Sequence, residues 1–241
     1  MAFRVVLVWI ALLAFPAFAS DKLIQYIEYI GADYSAAVVD GKIVSSAEYG
    51  EMQEFSSLIA EEAATAPQAL QQQSAQLKQL IADKAAEKDI QALTALMRQS
   101  VIAAMPSIPL PKQSPDLKRG EALFATNCAA CHGATAMGDG AAGAQMDPAP
   151  TNFHEVERYQ ARSAYGLFNT ITLGVADTGM ASFPHLDEQS RWDLAFYVGH
   201  IAGKGLDTSK VPEAMIESGA VKDLLTATPK DVIKLYPDFG A

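Results

Sequence analysis

Apolar residues recur at helical spacing through the first hundred positions. Leu23, Tyr26 or Ile27, and Ile30 make one stripe, and Met52, Phe55 and Ile59 make a second that runs to about Pro67. Ser45, followed three residues later by Glu48, has the form of a capping box and predicts where the second helix begins. Leu70, Leu77, Leu80 and Ile81, then Ile90, Leu93, Met97 and Val101, predict two further helices around the polar stretch 83–89. The connections are short, so neighbouring helices should run antiparallel in a small bundle spanning residues 20–106.

The period is lost at 107–114, SIPLPKQS, where two prolines in eight residues predict a stiff, extended linker. Ser114-Pro115-Asp116 then reads as an N-cap, a first-turn proline and a dipole-favoured acid opening a helix with Leu117, Gly120 and Phe124. A loop rich in Gly and Ala covers 133–150. Helical signals return at Ser163–Leu173 and at Asp187–Ile201, the latter carrying Trp192, Phe196 and Tyr197 and closed by Gly203. Residues 205–241 are expected to form a tail of short helices, with Thr228-Pro229 as another N-cap and first-turn pair. The expected fold class is all-α, with a second domain at 115–204.

Charge and the N-terminus narrow the function classes. The net charge of −10 argues against nucleic acid, whose phosphates are held by basic stripes, and favours cationic partners. Residues 1–19 place one Arg before an apolar run that ends Ala17-Phe18-Ala19, the pattern of a secretory signal peptide cleaved after Ala19. The run is shorter than the roughly 20 residues of a membrane span. The mature protein is therefore expected in the periplasm or otherwise exported, where conditions are oxidising.

Against that background the two cysteines stand out. Cys128-Ala129-Ala130-Cys131-His132 is C-x-x-C-H, which places two thiols on one turn to add to the vinyl groups of a haem, with the adjacent imidazole reaching the iron. Zinc would need a second cysteine pair, and a thioredoxin-type motif would need a β-α-β setting; neither is present, and a plain short disulfide remains the third alternative. One covalent haem c is thus expected, with His132 as one axial ligand. For the other, the choices are Met137, Met146, Met180, His154 and His185. Met180 is preferred, because it lies 48 residues beyond His132 in an irregular stretch between two helices. Met137 is too near the attachment site and Met146 belongs to a loop expected on the His132 side, whereas His185 is the serious rival.

These residues resemble the class I c-type cytochromes, from RGEALFATNCAACHG to TGMASFPHLDEQSRWDLAFYV. The resemblance implies that the first and last helices of the domain cross, with Gly120 and Phe124 against Trp192, Phe196 or Tyr197. It also implies that a carbonyl in the loop around Pro148 orients the imidazole of His132.

The second helix carries an anomaly: Glu48 falls in the middle of the apolar stripe, Glu51 and Glu62 lie on the same side, and Glu54 is at its edge. Carboxylates on a buried face need a partner, a raised pKa or a cation; a capping box and a solvated flank are the plainer explanations. The segment GADYSAAVVDGKIVSSAEYGEMQEF, residues 31–55, is similar to the extracytoplasmic N-terminal part of bacterial proteins that join a c-type cytochrome to an Ftr-type iron permease. That resemblance directs attention to Asp33, Tyr34, Glu48, Tyr49, Glu51 and Glu54. It implies a second, non-haem iron site formed by Asp33, Glu48, Glu51 and Glu54. No permease helices follow and the permease's Arg-Glu-x-x-Glu signature is absent, so the permease is expected as a separate polypeptide, or the chain as part of a longer product.

The expected function is electron transfer by an exported monohaem cytochrome, linked to iron oxidation and uptake, with a redox partner protein and an Ftr-type permease as partners. The alternatives are a generic periplasmic electron carrier with a docking domain, an iron-oxidising enzyme subunit, and a non-catalytic iron-binding module.

Overall fold

The computed structural model describes residues 17–105, 107–203 and 221–235. Most of the expected signal peptide and part of the expected tail lie outside the described residues. Among the described residues the fold is all-α apart from one two-stranded hairpin. No helix among the described residues is long and apolar enough to cross a membrane.

The bundle consists of α1 (Ala17–Ala37), α2 (Ser46–Glu62), α3 (Gln68–Ala82) and α4 (Glu87–Ala104). Between α1 and α2 the chain makes a hairpin of β1 (Val38–Val39) and β2 (Lys42–Ile43), paired antiparallel. The turn is Asp40-Gly41, both at positive φ, +48° and +72°. That is the geometry of a type I′ turn, whose twist matches the flanking strands. The dipeptide between Val38-Val39 and Lys42-Ile43 was its signal, one the helical periodicity overlooked.

Ser45 caps α2, accepting from the Glu48 N–H at 3.3 Å. The reciprocal half of the capping box does not form, because the Glu48 carboxylate turns inward and Glu48 Oε2 is buried with no partner among the described residues. The core of the bundle is the expected one. Leu23, Ile27, Ile30, Met52, Ile59, Leu77, Ile90 and Met97 are fully buried, each stabilising by about 1.5–3 kcal/mol.

The second half contains α5 (Leu117–Asn127), α6 (Ala129–His132), α7 (Val156–Tyr159), α8 (Ala164–Leu173) and α9 (Glu188–Ala202). Two short helices follow, α10 (Val221–Thr226) and α11 (Pro229–Leu235). The N-cap of α5 is Asp116, not Ser114: its carboxylate accepts from the N–H groups of Lys118 and Arg119 at 2.9 and 3.1 Å. Helix α5 crosses α9 at Gly120, where a Cβ would lie 2.4 Å from the Asp193 carbonyl oxygen. Phe124 packs on Tyr197 with ring centroids 5.6 Å apart, while Trp192 stacks on Phe168 at 4.3 Å.

The two expected domains do not stand apart. One continuous core runs from Leu23 to Leu225, because α1 packs on α2 and α4 and also on α7 and α8. Polar residues of α1 at helical spacing all face the second half. Asp21 accepts from the Tyr165 hydroxyl, Gln25 donates to the Gly174 carbonyl, Glu28 accepts from Ser163, and Asp33 pairs with Arg158 and Arg162. The C-terminal helices tie in too: Asp231 pairs with Arg98 of α4, and Lys230 N–H donates to the Gln160 carbonyl at 3.0 Å.

Candidate haem site

The C-x-x-C-H segment starts where α5 ends. Cys128 is the C-cap of α5, and its carbonyl accepts from the N–H groups of Cys131 and His132 at 3.1 and 2.9 Å, winding the motif into the single turn α6. Gly133 then reverses the chain at φ +81°; a Cβ there would sit 1.9 Å from Asp139 Oδ1. The Gly-rich loop folds back onto α6, with Gly138 N–H on the His132 carbonyl at 2.8 Å and Gly140 N–H on the Cys131 carbonyl at 3.0 Å.

His132 is held from two sides. Its Nδ1 lies 3.1 Å from the Thr151 carbonyl, and because a carbonyl can only accept, Nδ1 carries the proton and Nε2 keeps its lone pair. Phe153 stacks on the imidazole, centroids 4.5 Å apart and planes 21° from parallel. Burial lowers the pKa of His132 and so favours the neutral ring that ligates a metal. The orienting carbonyl is that of Thr151, three residues beyond Pro148, and both residues line the same cavity. Burial also pushes the Cys128 thiol up to about 12.

On the other side, Gly174 at φ +71° ends α8 and opens a loop in which Val175 N–H donates to the Met180 carbonyl at 2.9 Å. Met180 N–H in turn donates to Thr178 Oγ1 at 3.1 Å. This fold brings Met180 into the wall of the cavity that Cys128, Cys131 and His132 line, which has a volume of about 230 Å³. Leu167, Ile171, Phe183 and Val198 make the rest of that wall largely apolar.

Of the other axial candidates, only Met146 lines the same cavity. Its loop does not stay on the His132 side, for Met146 Sδ packs so closely on Gly179 that a Cβ there would lie 2.5 Å from it. Met137 is exposed, His154 Nε2 is 2.7 Å from the Thr135 carbonyl, and exposed His185 has Nε2 3.3 Å from Asn127 Oδ1.

The four carboxylates of the expected second iron site are not gathered into one ligand set. Asp33, fully buried, is paired with Arg158 and with Arg162, the latter at 2.8 Å. Glu51 accepts from the Tyr29 hydroxyl at 2.9 Å. Burial, opposed by Arg158, pushes Glu48 up to about 7. Exposed Glu54 points elsewhere, and neighbouring Asp177 raises its pKa. Among the described residues no group of three His, Cys, Asp or Glu is placed to hold a metal ion. Tyr34 and Tyr49 serve the bundle, donating to the Ala85 and Ile81 carbonyls at 3.0 and 3.1 Å.

Thr151, Phe153, Arg162 and, from the bundle, Tyr29 are among the cavity-lining residues that had no sequence-level signal. Tyr29 stands among the polar residues of α1, but which element faces them emerges only on folding.

Residues 117–202 match the family model described as Cytochrome c. This segment is a c-type cytochrome domain, and the function it defines is electron transfer through haem c. The residues present fit that group: two thiols and an imidazole on one turn, the ring fixed through Nδ1, and a thioether in the wall of one apolar cavity. Among solved structures, the chain is similar to a chain of the Kuenenia stuttgartiensis reducing HAO-like protein complex, with 23% identity and a TM-score of 0.34. That match covers 48% of this chain and 60% of the other, less than two thirds of its length. No curated protein matches the chain.

Proposed function

We propose that the protein is an exported monohaem cytochrome c that carries single electrons, with Cys128 and Cys131 as the attachment points and His132 and Met180 as the axial ligands. The observation that carries this reading is the shared cavity, in which the C-x-x-C-H turn and Met180 are both wall residues. Haem c bound there supplies reversible one-electron exchange. The chain's own residues do the rest. Thr151 and Phe153 fix the imidazole plane, so that the ring does not have to reorganise between redox states. The apolar wall excludes water, and a thioether opposite the imidazole favours the ferrous state relative to a second histidine. The test is a redox titration of the purified holoprotein after peroxidase staining of a denaturing gel. Haem that stays with the polypeptide and an electron stoichiometry of one per chain are expected; haem lost to acid-acetone overturns the reading.

A second reading makes iron(II) the electron donor and an Ftr-type permease the recipient of the oxidised ion. It is favoured by the proximity of the Glu54 carboxylate of the bundle to Asp177 of the Met180 loop, which raises the pKa of Glu54, since a cation can neutralise such a pair of acidic side chains. Hard oxygen donors suit iron, and the net charge of −10 suits cationic partners. The generic carrier, in which the bundle only docks a redox partner, lacks that role for the pair. Export follows in both readings from the character of residues 1–19.

A further inference from the structure

Arg162 is charged, 8% exposed, and only partly accounted for by the pairing described above. Its Nη2 donates to Asp33 Oδ2 at 2.8 Å. Asp33 Oδ1 is taken by Arg158, which also reaches Glu155 at 3.4 Å. The Cζ of Arg162 lies 5.0 Å from the centre of the Tyr29 ring, so the guanidinium is held against an aromatic face. Its Nε is buried and has no partner among the described residues. A buried charged donor left unpaired is costly, and such an atom in a wall of a cavity marks a place where a ligand acceptor belongs.

Arg162 lines the haem cavity, and no other Arg or Lys is among the described residues that do. Haem, apart from its iron, is anionic only at its two carboxylate side arms. We propose that Arg162 Nε–H donates to one of these carboxylates, with Asp33 and Tyr29 of α1 holding the guanidinium in place. This rests on the haem reading above and deepens it. The N-terminal bundle becomes part of the redox site: Tyr29 closes the cavity wall, and Asp33 sets both the position and the effective charge of the arginine. A guanidinium suits the task better than an ammonium, because its fork can serve Asp33 and the haem carboxylate at once from fixed positions.

The charges give opposite signs for two variants. Arg162→Gln removes a cation beside the haem and leaves its carboxylate bare, so the ferric state gains and the ferric-to-ferrous equilibrium shifts about tenfold, or about 59 mV downward for one electron. Asp33→Asn removes an anion and shifts the equilibrium upward. Loss of packing alone would not move the two in opposite directions. Arg162→Lys keeps the charge, so its potential should stay near wild type, while the carboxylate deformation mode of the haem in resonance Raman spectra moves, because the fork is gone.

The wild-type holoprotein supplies a measurement that survives any folding failure of the variants. With 15N-labelled arginine, the Arg162 Nε–H should exchange slowly with solvent and show a paramagnetic shift that vanishes on reduction. A fast-exchanging, unshifted Nε–H, or an Arg162→Gln potential equal to wild type in a folded protein with attached, Met-ligated haem, overturns the assignment of Arg162 and leaves the cytochrome reading intact. A wild-type protein with no covalent haem overturns the reading beneath it.

Discussion

Glu28 on α1 accepts two hydrogen bonds from Ser163, 135 residues later in the chain: the backbone N–H at 3.1 Å and the hydroxyl at 2.6 Å. The same hydroxyl oxygen caps α8 by accepting from Gly166 N–H at 2.9 Å. Gly166 is part of the arrangement, since a Cβ there would fall 1.7 Å from Glu28 Oε2. The carboxylate is wholly buried, and its raised pKa reflects that burial, offset by Arg98 and by the two bonds from Ser163. One serine thus joins the bundle to the cytochrome domain. Ser163→Ala removes a cap and leaves a buried carboxylate underpaired, so it should cost about 2–4 kcal/mol. Chemical denaturation checks this, with an unchanged midpoint as the contrary result.

The shared core also predicts how the protein unfolds. Bundle and cytochrome domain should melt in a single transition, with helical circular dichroism and haem absorbance changing together. Two well-separated transitions would mean that the polar contacts of α1 contribute little.

At the crossing of α5 and α9, Gly120→Ala should destabilise by about 1–3 kcal/mol, because the added methyl meets the Asp193 carbonyl oxygen, a backbone atom that cannot swing aside. Gly50→Ala is the control: a Cβ there has nothing within 4 Å, and its helical position favours Ala. Thermal melts of the two variants should move in opposite directions.

Met180→Ala should abolish the far-red charge-transfer band of a Met-ligated ferric haem, whereas Met146→Ala should retain it, although both side chains line the cavity. The reverse pattern would assign the axial position to Met146. Ferric spectra of the two holoproteins decide.

Glu48 has its carboxyl pushed from near 4.5 up to about 7, chiefly by burial. The folded protein holds this proton more tightly than the unfolded chain does. Its contribution to stability is therefore complete below about pH 4.5 and is lost as pH rises through about 7. Glu48→Gln stays neutral throughout. The variant should match wild type at about pH 4 and exceed it at about pH 8, as read by melting temperatures; a constant difference across that range would contradict the assignment.

Anaerobic addition of Fe(II) to the oxidised holoprotein tests the iron reading, with reduction of the haem bands as the expected result. Replacing Glu54 and Asp177 together by their amides should slow that reduction about tenfold while leaving the potential near wild type. No reduction by Fe(II) leaves a carrier for another donor.

Local chemistry was legible along the chain. The period of Leu23, Ile27 and Ile30 is enough to make α1, Ser45 and Thr228 cap the helices they precede, and C-x-x-C-H carries its own geometry, because each depends on residues within a turn or two. The helix of Met52, Phe55 and Ile59 likewise announced an inward-facing Glu48. What a one-dimensional pattern could not decide is what covers a polar face. Asp21, Gln25, Glu28 and Asp33 read like a surface that water would solvate, yet Tyr165, Gly174, Ser163 and the two arginines take the place of that water. Periodicity reports which side of a helix is polar, whereas the partners come from more than a hundred residues away and meet it only when the cytochrome domain folds against the bundle. Likewise the resemblance over residues 31–55 offered Asp33 as an oxygen donor for iron, and the tertiary structure makes it the counter-ion of Arg158 and Arg162.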